Sequence, residues 1–326
     1  MANQIEVIDE NEKENSDEVY TVSIANSVIA VGGGNESVVL SDIKSEEILL
    51  VSDSFGESIV FCKIIEKSAD DVKFIVVTVD GMIYCISKIE HVLDLVQIDE
   101  SVSTCAFIDS CLLVGAESGK IYAYSDHIEH INTISGDSQI IDIDKNGDQY
   151  YGLSVNQVIV GDQYGNILFR KMLDNPNCIK AVSGGVFAVG TDKKVFIFKN
   201  NTKLMEYSTG GAVESICISE RSFVLSGQFD GLIVISMANY SVFNMKMGME
   251  MSNLRHVSTY GLLFTTIIQD NEQYVGYLDV RDKNSCRKQP VSVGHVFDIA
   301  FELNNNGITT VLGGELGHEV VEISLK

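Results

Sequence analysis

VESICISERSFVLSGQFDGLIVISM, residues 213–237, holds three short apolar runs separated by two polar breaks. The first run spans 213–218 and is interrupted at 219–222. The second, 223–226, ends in a loop built on Asp230 and Gly231, and the third covers 232–237. β-branched and aromatic residues dominate the runs, as they do on a pleated, half-buried surface. Asp-Gly supplies the positive φ that a tight turn between strands requires. The stretch reads as a strand–turn–strand–turn–strand meander, and most of the chain is that unit repeated.

The turn between the second and third strands marks the repeat. It recurs at Gly34-Asn35, Asp80-Gly81, Ser118-Gly119, Val155-Asn156, Asp192-Lys193, Asp230-Gly231, Asn271-Glu272 and Leu316-Gly317, about 37 to 46 residues apart. That is the period of a four-stranded propeller blade. The strand before each turn is small and apolar (IAVGGG, LLVGAESG, FAVGTD, TTVLGGE), and the strand after it alternates (MIYCIS, IYAYSD, VFIFKN, EVVEIS). The prediction is an all-β chain folded as a single β-propeller of eight blades, seven being the alternative count.

The expected blades are 19–51, 57–98, 101–135, 138–173, 178–207, 213–247, 254–293 and 294–325, with a loop at 248–253. Blade four is the least regular, and its outer strand is placed at 167–172. No stretch is left for a second domain. An acidic N-terminal segment, 1–18, precedes the propeller, 19–326. The last blade offers only three strands, and an open sheet edge invites aggregation. Residues 5–8 (Ile5, Glu6, Val7, Ile8) are therefore expected to close the ring as its fourth strand.

At 326 residues the chain can bury a large core. Gly is plentiful (27) and Pro scarce (2), so Gly, Asn and Asp supply the turns. The longest apolar runs are too short to cross a bilayer. The acidic N-terminus lacks a basic-then-apolar leader pattern. Seven cysteines include no C-x-x-C pair, and Cys62, Cys105, Cys178 and Cys217 occupy similar places in first strands. Free thiols in a reducing, cytoplasmic setting are expected, with nuclear entry left open.

The net charge is −23, from 46 acidic against 23 basic residues, on a well-patterned apolar chain. Disorder is not implied. Phosphate contacts need basic residues, so nucleic acid is not an expected direct ligand. An acidic globule repels anionic membrane and attracts basic proteins.

Three motifs lose to plainer readings. Asp142-x-Asp144-x-Asn146-Gly147 imitates the start of a calcium loop, but the twelfth position is Leu153 and the flanks are strands, so a polar hairpin turn is expected. Gly32-Gly33-Gly34 lacks the following Lys-Ser/Thr of a phosphate cradle and reads as a strand end needing unusual backbone angles. His127-x-x-His130 has no third ligand at metal spacing and is placed, exposed, on an outer strand. No nucleophile–base set assembles. Neither catalysis, cofactor nor metal is expected.

In a propeller the second-to-third strand loop shares a face with the loop leading into each blade. The first kind of loop carries Glu36, Asp80, Glu117, Asp192, Asp230, Asp270, Glu272 and Glu315. The second carries Asp53, Glu57, Asp99, Glu100, Asp137 and Asp174. Lys120, Lys193 and Lys194 are the few lysines among them. Turns favour Asp anyway, but that does not explain the shortage of balancing bases. The expectation is an acidic mouth that steers and holds a basic protein segment.

These residues resemble a known family. The turn motifs resemble WD repeats, although Trp is absent and only Gly294-His295 stands where the repeat expects Gly-His. Motif order is similar to the acidic ribosome-assembly chaperones of fungi and their animal relative, angio-associated migratory cell protein. The matching stretches are VGGGNESVVL (31–40), FGESIVFC (55–62), VESICISERSFVLSGQFDGLIVISMANYSV (213–242) and GHVFDIAF (294–301). The resemblance implies an eight-bladed propeller that shields one basic large-subunit ribosomal protein before it joins the pre-60S particle. It also implies that an acidic face holds the client's basic N-terminal segment, touching Glu36, Glu57 and Asp230 within matched motifs. A monomer is expected. The alternative is a general WD-repeat scaffold, such as a coat, nuclear-pore or ubiquitin-ligase adaptor subunit.

Overall fold

The second strands of the repeats are apolar throughout because both of their faces are covered. The computed structural model describes residues 18–68, 70–266, 272–305 and 307–325. In it Val28–Gly33, Cys111–Ala116 and Gly307–Gly314 are buried from end to end. Outer strands show the converse, and Glu47–Val51, His91–Gln97 and Ile167–Met172 are largely exposed. Among the described residues eight antiparallel sheets follow one another along the chain, seven of four strands and one of three, each a meander in sequence order. The eight-bladed expectation holds, and the outer strand of blade four falls at Ile167–Met172 as read from the sequence.

Neighbouring blades are joined by apolar clusters at all eight seams. Leu40 and Phe74 meet between blades one and two, Tyr151 and Phe187 between four and five, and Val22 and Val311 between one and eight. The last of these seams closes the ring. The closing strand expected at residues 5–8 lies outside the described residues.

The inner strands are Val19–Ala25, Ile59–Lys67, Val102–Ile108, Ile140–Asn146, Pro176–Val182, Val213–Ser219, Met251–His256 and Val296–Leu303. They line a central channel of ≈ 1210 Å³. Near the start of each the pairing register slips at a β-bulge, which re-aims the extra side chain. Tyr20, Val60, Ser103, Ile141, Asn177, Glu214 and Phe297 occupy the extra position and line the channel.

The channel-side backbone of the inner strands needs partners, and the preceding blade supplies them. Thr21 Oγ1 accepts from Cys62 N at 3.0 Å and Ser23 Oγ from Ile64 N at 3.1 Å. Asp142 Oδ2 accepts from Ile179 N at 2.8 Å and Asp144 Oδ2 from Ala181 N at 2.7 Å. Ser215 Oγ accepts from Leu254 N at 3.1 Å. The first and last blades are stitched the same way: Asp298 Oδ2 accepts from Val22 N at 3.0 Å, and the Glu302 carboxylate accepts from Asn26 N and Ser27 N, each at 2.9 Å.

Four sequence expectations are corrected. Asp142 and Asp144 are not in a hairpin turn but in an inner strand, where they cap the next blade; the turn follows at Gly147, φ +57°. Gly32, Gly33 and Gly34 have no positive φ; Gly33 is needed because a Cβ there would meet Glu18 O at 2.0 Å. His127 lies in the turn before the outer strand His130–Ser135 rather than on it, and both histidines are exposed. The loop at 248–253 ends early, since the strand Met251–His256 begins three residues before the expected blade boundary, with Met251 wholly buried. Asn253 adopts φ +49° within that strand, a local kink that imitates a loop in the sequence.

Burial pushes the Asp142 carboxyl up to about 6, helped by the neighbouring Asp144 and opposed by the hydrogen bond from Ile179 N. The folded state therefore binds this proton more tightly than the unfolded chain. Its contribution to stability is fully present at pH below the ordinary aspartate value and is lost as pH rises through about 6. Urea unfolding of wild type and Asp142→Asn at pH values on either side of that window tests this. The stability difference between them should shift by about 2–3 kcal/mol toward wild type on the acid side. Parallel pH profiles would show an unperturbed carboxyl.

Candidate protein-binding rim

Backbone hydrogen bonds tie the second-to-third strand loops to the loops entering the blades, so both kinds form one rim. Phe55 N donates to Glu36 O at 2.8 Å, Ile98 N to Gly81 O at 3.0 Å, Glu117 N to Ser101 O at 3.0 Å, and Gly136 N to Gly119 O at 2.8 Å. Leu173 N to Asn156 O (2.9 Å), Thr209 N to Lys193 O (2.9 Å), Gly231 N to Met249 O (2.8 Å) and Leu316 N to Val293 O (2.9 Å) continue the pattern. The turns themselves need glycine where the backbone closes on itself. Gly231 has φ +78°, and a Cβ there would meet Met245 O at 2.0 Å.

This rim carries every described carboxylate of the expected set, in two populations. One is bound up in the loops. Glu36 accepts from Ser54 Oγ at 2.8 Å, and Asp80 accepts from Thr78 Oγ1. Asp192 accepts from the Asn175 and Asn177 amides at 2.8 and 3.3 Å. Asp230 Oδ1 accepts from Met247 N at 3.0 Å and Gly248 N at 2.6 Å. Glu272 accepts from Tyr274 Oη at 2.6 Å, and Glu315 from His295 N at 3.2 Å. Asp137 is paired with Arg170, and Glu100 with Lys120 and Ser118. Burial raises the Glu100 carboxyl, but the bonds from Lys120 and Ser118 outweigh it and hold it below the usual range.

The second population is Asp53, Glu57, Asp99, Glu117 and Asp174. All five are exposed, and among the described residues none has a side-chain hydrogen bond or ion pair. Glu250, in the loop before blade seven, joins them. Against these the described loops of the rim set Lys193 and Lys246. Asp270 lies outside the described residues.

The opposite rim differs in balance. There Glu46, Asp70, Asp71, Glu90, Asp109, Asp126, Glu129, Asp148 and Glu220 are interleaved with Lys44, Lys88, Arg221 and Arg281. Asp71 is committed to Ser87 Oγ at 2.9 Å, and Asp109 lies 3.6 Å from Lys145 Nζ.

Three acidic groups on the wall of the channel were not legible as part of the mouth. Glu214 is the extra residue of a bulge, exposed, with its carboxylate on the Gln228 amide at 3.1 Å. Asp142 and Asp298 line the same channel from blades four and eight, two blades to either side, and Asp298 also meets Arg255 at 3.2 Å. The available signal was the shared position just inside each blade's entry, where the residue types vary from blade to blade. Among the described residues no cluster of three or more His, Cys, Asp or Glu is arranged to hold a metal ion.

A family model described as "WD40-like domain" matches residues 17–321. Solved structures share the shape. Sqt1 of Saccharomyces cerevisiae superposes with a TM-score of 0.76 at 15% identity, over 95% of this chain and 97% of that one. Sqt1 of Chaetomium thermophilum, bound to the N-terminus of the ribosomal protein L10, gives 0.77 at 14% identity over 95% and 98%. The computationally designed Ika8 protein gives 0.78 at 12% identity over 94% and 97%. At such identities the likeness is one of fold. No curated protein matches the sequence.

Proposed function

The chain belongs to the WD40-like domain family, and on that premise we propose that it is a non-catalytic ribosome-assembly chaperone. Its rim of unpartnered carboxylates captures a basic segment of a newly made large-subunit ribosomal protein before that protein enters the pre-60S particle. The observation that carries this reading is the run of exposed, unpaired acids at Asp53, Glu57, Asp99, Glu117 and Asp174, against which the described loops of the same rim set only Lys193 and Lys246, whereas the acids of the opposite rim are interleaved with Lys44, Lys88, Arg221 and Arg281. The Sqt1 of Chaetomium thermophilum, of the same fold, is bound to the N-terminus of L10, which suggests the client class.

A preformed acidic face raises the encounter rate with a cationic chain through electrostatic steering. Each exposed pair contributes only about 0–1 kcal/mol, so holding the client needs several pairs at once, which a ring of repeated loops provides. Ribosomal RNA, with its dense phosphate charge, then competes for the same cations and releases the client. The proposed setting is the cytoplasm, where ribosomal proteins are made, and the chaperone acts as a monomer.

The test is a titration with the N-terminal segment of L10, followed by addition of RNA. A one-to-one complex that dissociates on RNA addition supports the reading; no complex, or one indifferent to RNA, contradicts it. A second reading, a scaffold engaged through its outer wall, is favoured by the exposed Ile48, Val51, Val92 and Leu95 on the outer strands of blades one and two. It predicts partners retained at high salt.

A further inference from the structure

The rim is not uniform. At the extra position of the inner-strand bulges most blades carry an aliphatic or polar residue, such as Val60, Ser103, Asn177 or Glu214. At the seam between blades eight and one the two successive residues are aromatic, Phe297 and Tyr20. Their rings pack edge to face with centroids 5.5 Å apart. His295 also packs edge to face against Phe297, with centroids 5.5 Å apart.

Leu316 extends this sector outward. It is 71% exposed, and Phe297 is 38% exposed. Gly294 precedes His295, and a Cβ there would come 2.9 Å from Glu315 Oε2 and 3.4 Å from Leu316 Cγ, so Leu316 and the Glu315 carboxylate both border the loop that carries His295. Carboxylates frame the sector. Glu18 accepts from Tyr20 Oη at 2.5 Å, Glu315 accepts from His295 N at 3.2 Å, and Asp298 follows Phe297 into the channel.

Exposed aromatic and aliphatic surface costs free energy in water, and the inter-blade core at this seam is already supplied by Val19, Val22, Ile29 and Val311. The exposed parts of Phe297 and Leu316 are therefore not needed for the fold. Interface energy concentrates where a ring enters an apolar seat surrounded by polar contacts.

We propose that the Leu316–Phe297–Tyr20 sector is the anchor site of the rim, and that it seats one aromatic side chain of the bound segment. The flanking carboxylates select for Lys or Arg on either side of that ring, so the recognised sequence is a single aromatic residue within a basic run. This rests on the acidic rim being the binding face. It adds what charge alone cannot, since carboxylates distributed around a ring give attraction without register.

The test uses two synthetic peptides of equal length and charge, built from Lys, Arg, Gly and Ser, one with a central Tyr and one with Ser in its place. Wild-type protein should bind the Tyr peptide about 10-fold more tightly. The double variant Phe297→Ser and Leu316→Ser should bind both peptides equally, at the wild-type affinity for the Ser peptide. Leu316→Ser alone, at an exposed loop position, should lose part of the preference and serves if the double variant is not folded by circular dichroism. Equal binding of the two peptides by wild type overturns the anchor and leaves the acidic rim standing, as does a preference that survives in the variants. Failure of both peptides to bind at low salt overturns the rim reading and the anchor together.

Discussion

Lysine at Asp53, Glu57 and Glu117 together is expected to weaken binding of a basic segment by about 100-fold or more at low salt. Each reversal removes an attraction and adds a repulsion, about 1 kcal/mol or somewhat more per site near an exposed surface. Three sites on one rim act on the same bound chain. These residues are chosen because their carboxylates are exposed and hold nothing in the fold. Asp80 and Asp230 are as prominent in the sequence, but Asp230 ties down Met247 N and Gly248 N, and Asp80 holds Thr78. Reversing those would confound binding with loop stability. The control is Glu90→Lys, Glu129→Lys and Asp148→Lys on the opposite rim, an identical change in net charge at exposed positions. If the rim is the site, the control loses only a few-fold by long-range attraction. Equal losses in both triples would mean that net charge, not a surface, does the binding.

Phe187→Ala is expected to destabilise the fold by about 3–5 kcal/mol, a large part of the ~5–15 kcal/mol typical of a folded protein. Phe187 is 1% exposed and stacks on Phe198 with ring centroids 4.9 Å apart and an interplanar angle of 13°. Tyr151 of the neighbouring blade lies 5.3 Å from it and Phe169 lies 6.2 Å away. In a chain with no tryptophan, this quartet is a substantial aromatic joint across one seam. Truncation leaves a cavity that rigid strands on both sides cannot close. Urea unfolding measures the loss. Phe243→Ala on an outer strand, where the ring is 60% exposed, should change stability by less than about 0.5 kcal/mol.

The blade plan was legible because local chemistry and period agree. In blade six the runs at 213–218, 223–226 and 232–237 became Val213–Ser219, Ser222–Gly227 and Leu232–Ser236. Features decided by distant parts of the chain were not legible. The glycines at 32 and 33 look like a demand for unusual φ, whereas the constraint is the approach of Glu18 and Ile59. Asp142 and Asp144 look like turn residues, whereas their partners are 37 positions further on.

The rim loops could likewise be placed from the repeat, but which carboxylates are occupied could not. Asp137 is paired with Arg170 and Glu100 with Lys120, contacts that no local motif announces. The aromatic pair at Tyr20 and Phe297 joins the two ends of the described chain and becomes visible only once the ring is closed.

The central claim is that this rim grips a cationic chain by charge, and the most direct measurement is the affinity for the L10 N-terminal segment as a function of salt. Between about 0.01 M and about 1 M the screening length falls from about 30 Å to about 3 Å. Affinity should fall steeply and continuously over that range in the wild type and only weakly in the Asp53, Glu57 and Glu117 triple. An affinity that stays level as salt rises would contradict the account.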